Sequence, residues 1–184
     1  MDTRQIDVVT FLKHQHEQIK TLFAEVESAE GDAREEAFRR LVHLLAVHET
    51  AEEELVHPYA RKVVSGGDAI VDQRLQEENE AKRALSDLEE MGSDNPDFLK
   101  HLDALRTDVI EHAEAEERFE FPRLEAEGDP DRLRKMTAGV KAAEKMAPTH
   151  PHPGVESAKK NMLLGAPVAI MDRARDAIRK AMGN

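Results

Sequence analysis

Hydrophobic positions recur at helical spacing along most of this chain. Four long stretches show the pattern, at about residues 3–29, 32–56, 69–91 and 97–125. In the first stretch, the apolar positions are Val8, Val9, Phe11, Leu12, Ile19, Leu22, Phe23 and Val26. Steps of three and four residues place such side chains on one face of an amphipathic helix. The pattern therefore predicts four helices.

The segments between these stretches carry turn residues. Gly31 ends the first helix, and Asp32 with Glu35 three residues later resembles a capping box that opens the second. Pro58 predicts a bend or an end in the second helix, and residues 92–96 form a turn before the fourth. Because the connections are short, neighbouring helices should be antiparallel. The expected fold is all-α, an up-down-up-down four-helix bundle spanning residues 1–128.

The pattern changes after Asp129 and Pro130. Residues 130–145 predict a polar helix, residues 146–154 a proline-rich loop, and residues 167–182 an amphipathic helix. The apolar stripe of the last helix consists of Val168, Ile170, Met171, Ala174, Ile178 and Met182. We expect residues 129–184 to be a C-terminal helical extension that packs on the bundle.

The second and fourth helices share a polar motif. In each, a histidine precedes a Glu-Glu pair by four residues and a proline by ten. The members are His48, Glu52, Glu53 and Pro58 in one copy and His112, Glu116, Glu117 and Pro122 in the other. A spacing of four residues places imidazole and carboxylate on the same helix face. Such pairs bind iron, zinc or manganese, and a carboxylate can bridge two ions, so two motifs suggest two metals.

The four helices also read as two copies of one helical hairpin. Aligning residues 16–27 with residues 78–89 matches their apolar positions and places Glu78 where the first copy has His16. Glu78 of the third helix therefore corresponds to His16 of the first.

Composition excludes several classes of function. The chain has 184 residues, of which 35% are charged and 4% aromatic, and its net charge is -12. That charge argues against a nucleic-acid partner. The absence of cysteine excludes disulfides, thiolate metal sites and iron-sulfur clusters. No apolar run is long enough for a membrane span, and residues 1–7 lack the hydrophobic segment of a signal peptide, so we expect a cytoplasmic protein without a membrane partner.

These motifs together resemble the hemerythrin-like, or HHE cation-binding, family over about residues 6–125. The resemblance rests on a histidine in the first helix, a His-x-x-x-Glu-Glu motif in both even-numbered helices and the downstream prolines. It implies two iron ions, oxo- or hydroxo-bridged, inside a four-helix bundle, with no organic cofactor. The matching positions are Glu52 and Glu116 as bridges and His16, His48 and His112 as terminal ligands.

The third helix departs from the family, which usually supplies a histidine where this chain has Glu78. Two alternatives follow. Either Glu78 itself binds iron, or the ligand comes from Tyr59. Tyr59 lies eleven residues after His48, which is close to a whole number of turns of a regular helix, so it would lie on the same helix face. His57 occupies the place of Phe121 in the second copy, and we interpret it as filling space or supporting a ligand.

The resemblance implies hydrogen peroxide, dioxygen or nitric oxide as the small ligand. Anionic oxygen donors such as Glu78 or Tyr59 favour ferric iron, so reversible oxygen carriage is disfavoured. The sequence thus predicts a catalase-like or peroxidase-like protein of oxidative or nitrosative stress, a monomer or weak homodimer. The alternatives are a non-catalytic sensor or iron-binding module that acts through the extension, and a bundle without metal.

Overall fold

The computed structural model describes residues 6–146 and 166–183 of the chain, and all regular secondary structure in those ranges is helical. The helices are α1 (Val8–Ser28), α2 (Gly31–Ala51), α3 (His57–Val63), α4 (Gly67–Met91), α5 (Phe98–Ala115), α6 (Phe121–Glu127), α7 (Pro130–Met146) and α8 (Ala166–Met182). Two π-helical turns, π1 (Glu52–Val56) and π2 (Glu116–Glu120), join α2 to α3 and α5 to α6. The proline-rich loop predicted at residues 146–154 lies outside the described residues from position 147 onward.

Four helical arms form the bundle: α1, then α2 with π1 and α3, then α4, then α5 with π2 and α6. Arms that follow one another in the chain contact each other, and α1 also contacts α5, which closes the bundle. This arrangement confirms the predicted all-α bundle. The start of α2 differs from the prediction, because the helix begins at Gly31 after an N-cap at Glu30 and places Asp32 inside the first turn.

The hydrophobic core is divided into two clusters along the bundle. One lies between α1, α2, α4 and α5 and includes Ile19, Phe23, Leu41, Leu85 and Phe98. The other lies at the opposite end and includes Val8, Leu12, Val47, Val56 and Phe121. His16 stands between Leu12 of one cluster and Ile19 of the other, so a buried polar layer separates them.

The π turns allow each helical arm to continue through its proline. An α-helical proline loses a hydrogen bond and clashes with the carbonyl four residues before it. In π1, the His57 backbone N–H donates to the Glu52 carbonyl five residues back, which is the π pattern. The arm then runs on as far as Val63 instead of ending near Pro58. The second copy repeats this arrangement with Pro122.

The extension packs on α1 and α2. Leu133, Met136, Val140 and Ala143 of α7 and Ala174 and Ile178 of α8 belong to the same buried cluster as the start of α1. Val168 is 63% exposed, so the buried stripe of α8 is shorter than the predicted one. Among the described residues, no helix is long and apolar enough to cross a membrane.

Candidate metal centre

The polar layer between the two core clusters brings together six of the seven predicted site residues. They are His16 from α1, His48 from α2, Glu52 at the start of π1, Glu78 from α4, His112 from α5 and Glu116 at the start of π2. Five are buried, and His112 is intermediate. Every arm of the bundle therefore contributes to one internal cluster.

The six residues form two overlapping groups of possible ligands. Atoms of His16, His48, Glu52 and Glu116 lie within 4.8 Å of one another, and so do atoms of Glu52, Glu78, His112 and Glu116. Glu52 and Glu116 belong to both groups. Two ions held in this way would share both carboxylates, which matches the bridging role that the resemblance implies for them.

Unsatisfied polar atoms show that this donor set fits metal cations. Both carboxylate oxygens of Glu52 and both of Glu116 are buried without a hydrogen bond, as are one oxygen of Glu78 and Nε2 of His112. Buried charges without compensation cost several kcal/mol each. Divalent or trivalent cations would supply the missing positive charge at the point where these atoms converge.

Each candidate histidine is held by its Nδ1 atom, which leaves Nε2 to face the centre. The Nδ1 contacts are His16 to Glu117 at 2.7 Å, His48 to the side-chain oxygen of Gln15 at 2.9 Å and His112 to Glu77 at 2.9 Å. Such partners orient histidine ligands and fix their tautomer. As a result, Nε2 of His16 and Nε2 of His48 lie 3.2 Å apart, which suits two nitrogen ligands of one metal ion.

Burial and neighbouring charges together set the electrostatics of the layer. Burial lowers the pKa of His48 well below its usual value, which favours the neutral imidazole that metals bind. Burial, and next to it the carboxylate of Glu116, raises the pKa of Glu52 well above its usual value. Burial would lower the pKa of His112, but the neighbouring carboxylates, Glu116 first among them, outweigh it and raise that pKa well above its usual value.

Of the two alternatives for the third helix, the structure brings Glu78 into the cluster and places Tyr59 elsewhere. The Tyr59 hydroxyl accepts the Asp129 backbone N–H at 2.7 Å. A Cβ built on Gly128 would lie 3.2 Å from the Tyr59 ring, so the ring packs against that backbone. The predicted ligand role of Tyr59 assumed a regular helix, but π1 lies between His48 and Tyr59. A turn with five-residue hydrogen bonds rotates all later side chains away from the positions that a regular helix gives them.

Of the two interpretations of His57, the structure agrees with the support of a candidate ligand. Its Nε2 lies 2.5 Å from Glu78 Oε1, and its Nδ1 lies 3.2 Å from Glu120 Oε1. Burial would lower the pKa of His57, but hydrogen bonds to Glu120 and Glu78 raise it to about 10. His57 therefore supports one oxygen of Glu78 and leaves the other for a metal.

Several supporting residues were missed by sequence reasoning. They are Gln15, Glu77, Glu117 and Glu120. Glu117 was named as a member of the second motif, but its contact with His16 was not predicted. The other three carry no distinguishing spacing in a chain with 38 acidic residues.

A cavity of about 410 Å³ adjoins the cluster. Four candidate ligands line it, namely His16, His48, Glu78 and His112, together with residues such as Lys20, Glu49 and the exposed Phe119. A molecule of the size of hydrogen peroxide can therefore approach the cluster from this side.

The sequence matches the model of the hemerythrin HHE cation binding domain over residues 7–124. The chain belongs to the hemerythrin HHE family. This result confirms the resemblance drawn from the motifs, and it means that the His/Glu cluster lies in a domain whose members bind metal cations.

Two relatives extend the comparison. A solved structure of a hemerythrin HHE cation binding domain-containing protein from Mycobacterium kansasii superimposes with a TM-score of 0.67 at 18% identity, over 94% of this chain and 99% of that one. The likeness therefore includes part of the extension as well as the bundle. A DNA nickase of Nostoc sp. is 23% identical over 144 residues, which is 78% of this chain. The match spans 40% of the length of that relative.

Proposed function

We propose that this chain is a non-haem di-iron protein that reacts with hydrogen peroxide or a related small oxidant, in a catalase-like or peroxidase-like role. The observation that carries the proposal is the pair of ligand groups that share Glu52 and Glu116. Bound iron would supply the redox chemistry. Zinc or manganese would also fit these donor atoms, but the family resemblance implies iron.

The donor set favours oxidant chemistry over oxygen carriage. One group offers two imidazoles and two carboxylates, whereas the other, with Glu78, offers one imidazole and three carboxylates. Carboxylates are hard anionic ligands and stabilise ferric iron. A centre biased in this way is poorly suited to binding oxygen reversibly in the diferrous state.

The cavity supplies a proton source beside the cluster. Glu49 lines the cavity next to His48, and burial raises the pKa of its carboxyl to about 8. In the metal-free protein, Glu49 therefore holds a proton at neutral pH, when an ordinary glutamate would not. That proton is available to an oxygen atom of peroxide in the cavity.

Iron content and peroxide consumption test the proposal together. We expect about two irons per chain and evolution of oxygen, or oxidation of an added donor, after addition of hydrogen peroxide. His48→Ala should retain at most one iron and lose peroxide consumption, because His48 belongs to one of the two ligand groups. His14→Ala, which changes an exposed histidine of α1, should retain two irons and the activity. Reversible oxygen binding by the reduced protein without peroxide turnover would refute the enzymatic role.

A second candidate is a sensor or iron-binding module whose output passes through the extension. It is favoured by one observation, the hydrogen bond of 2.7 Å from the Gln15 amide to Glu144 in α7, because Gln15 also contacts His48. Limited proteolysis of α7 and α8 in the reduced and oxidised iron proteins separates the two candidates. A change in cleavage with oxidation state favours the sensor, and equal cleavage favours the enzyme.

The partners that we propose are a peroxide or diatomic ligand and no nucleic acid. DNA cleavage, the activity named for the Nostoc relative, is not part of the proposal, because the net charge of -12 opposes binding to a phosphate backbone.

A further inference from the structure

The C-terminal extension reaches a candidate metal ligand through one buried side chain. Gln15, which is 1% exposed, lies on α1 between His48 of α2 and Glu144 of α7. Its side-chain oxygen lies 2.9 Å from His48 Nδ1, and its side-chain nitrogen donates to Glu144 Oε1 at 2.7 Å. Glu144 lies beyond residue 124, where the match to the family model ends.

This chain of contacts determines which way the amide of Gln15 faces. An ionised carboxylate only accepts hydrogen bonds, so Glu144 requires the amide NH₂ group. The amide oxygen is then left to face His48, where it accepts the proton on Nδ1. With that proton on Nδ1, the lone pair of His48 is on Nε2, which points towards Nε2 of His16.

The other two candidate histidines need no such control. Nδ1 of His16 faces Glu117, and Nδ1 of His112 faces Glu77. Either oxygen of a carboxylate accepts, so these partners have no wrong orientation. An amide can turn its NH₂ group towards the ring instead, which would favour the wrong tautomer. Of the three histidines, His48 is therefore the one whose partner, Gln15, needs a further residue to set its orientation.

We infer that Glu144 is a positioning residue for the metal ligand His48 and acts through Gln15. The inference rests on metal binding at the cluster, the first element of the proposed function, and not on peroxide chemistry. It makes the extension part of the metal centre, although the family domain ends before it.

Other contacts hold α7 and α8 close enough for this role. A Cβ added to Gly139 of α7 would lie 3.0 Å from a methyl carbon of Leu55 in π1, so glycine permits the close approach. Arg175 of α8 donates to Glu54 at 2.7 Å, two residues after the shared ligand Glu52. The contact at Gln15 is thus one part of a packed interface and not an isolated surface pair.

Zinc binding to the full-length protein tests the inference without iron chemistry. The variants are Glu144→Ala, which removes the acceptor; Glu144→Gln, which retains a carbonyl acceptor; and Lys145→Ala, an exposed neighbour. Competition with a chelator measures affinity for Zn²⁺, and ¹H–¹⁵N correlation of the histidine rings reports which nitrogen of His48 carries the proton.

We expect Glu144→Ala to weaken binding of one of the two zinc ions by up to about 10-fold, less than the roughly 10- to 100-fold effect of removing a residue that contacts a ligand directly, because Gln15 remains. The His48 ring should lose its single Nδ1–H form, while Glu144→Gln and Lys145→Ala stay close to the wild type. The double variant Gln15→Glu/Glu144→Ala should recover affinity, because a carboxylate at position 15 accepts from His48 in either orientation.

Unchanged zinc affinity and an unchanged His48 ring in Glu144→Ala would overturn the inference while leaving the proposed function intact. Equal loss in Glu144→Ala and in the double variant would also overturn it, since packing alone would then explain the effect. A wild-type chain that binds no zinc and no iron would overturn both. Thermal unfolding of each metal-free variant checks that the comparison is between folded proteins.

Discussion

At the scale of single residues, the shared carboxylates of Glu52 and Glu116 carry the account. All four of their oxygens are buried without hydrogen bonds. Burial would raise the pKa of Glu116, but His112 and His16 favour its charged form and hold that pKa well below the usual value. The pKa of Glu52 is raised, so Glu52 is the costly carboxylate unless cations are bound. The two motifs that contain them were visible in the sequence because His and Glu recur at the same offsets in two helices. Gln15 was not visible, since its role depends on a contact 129 residues away along the chain.

Replacing a shared carboxylate should have opposite effects on metal binding and on stability. Glu52→Gln keeps the shape of the side chain but removes a carboxyl group that is costly to ionise in the metal-free fold, because burial first and then Glu116 raise its pKa well above the usual value. We expect the metal-free variant to gain on the order of 1–3 kcal/mol in unfolding free energy and to lose bound iron. Chemical denaturation and iron analysis measure the two effects.

Glu53→Gln is the matched control for that variant. Glu53 neighbours Glu52 but forms an ion pair with Lys82 at a half-buried position. This control should keep its iron and should not gain stability. A loss of stability in metal-free Glu52→Gln would contradict the view that the carboxylate is uncompensated.

The carboxyl of Glu49 should make stability depend on pH. Burial raises its pKa to about 8 in the folded protein, against 4.5 for the ordinary group. The folded state therefore binds the proton more tightly, so the stability that this group contributes is full below pH 4.5 and is lost as the pH rises to about 8. Relative to the wild type, metal-free Glu49→Gln should gain stability between pH 5 and pH 8, by on the order of 2–4 kcal/mol. Denaturation of both proteins across this range checks the sign, and parallel pH profiles would count against the raised pKa.

At the scale of the elements, the π turns separate what the sequence could predict from what it could not. Apolar periodicity and glycine positions predicted the helices, because one face of each packs into a core cluster. No repeated spacing in the sequence predicts the wider turn of π1, although a proline follows the π turn in each copy. The step from His48 to Glu52 ends where π1 begins, and the structure places these two side chains together as a regular helix predicts. The step from His48 to Tyr59 crosses π1, and the Tyr59 hydroxyl lies at the Asp129 backbone N–H.

Tyr59→Phe tests whether the Tyr59 hydroxyl binds Asp129, as in the structure, or a metal ion in the cluster. The variant removes the hydrogen bond from the Asp129 N–H to the Tyr59 hydroxyl, so we expect a loss of about 0.5–1.5 kcal/mol in stability. The visible spectrum of the iron protein should not change, because the hydroxyl does not face the cluster. A charge-transfer band that weakens in the variant would show that Tyr59 binds iron after all.

At the scale of the whole molecule, the bundle and the extension are joined at the metal layer. One core cluster contains residues from α1, α2, α7 and α8, and Glu54 accepts hydrogen bonds from Arg175 and Arg179 beside π1. The boundary predicted near residue 128 was drawn from a change in composition. Periodicity could not show that Glu144 lies against Gln15, because a single polar contact between distant helices leaves no repeated spacing in the sequence.

Metal removal should lower the stability of the whole molecule, since ions bound at the layer stabilise only the folded state. At a free metal concentration one hundred times the dissociation constant, one site contributes about 2.7 kcal/mol. Calorimetry of the loaded protein with and without a chelator should show a lower unfolding temperature without metal, and His14→Ala should behave like the wild type. An unfolding temperature that chelation leaves unchanged would be inconsistent with a metal centre in this layer.

Ferrous iron binding tests the shared-carboxylate metal centre most directly. The metal-free protein is titrated with ferrous iron without oxygen, unbound iron is removed, and the iron per chain is measured. We expect about two irons per wild-type chain and a loss of both in Glu116→Ala, because Glu116 belongs to both ligand groups. Glu78→Ala should retain one, since Glu78 belongs to a single group. A wild-type chain that retains no iron, or a Glu116→Ala variant that retains two, would contradict a centre built on shared carboxylates.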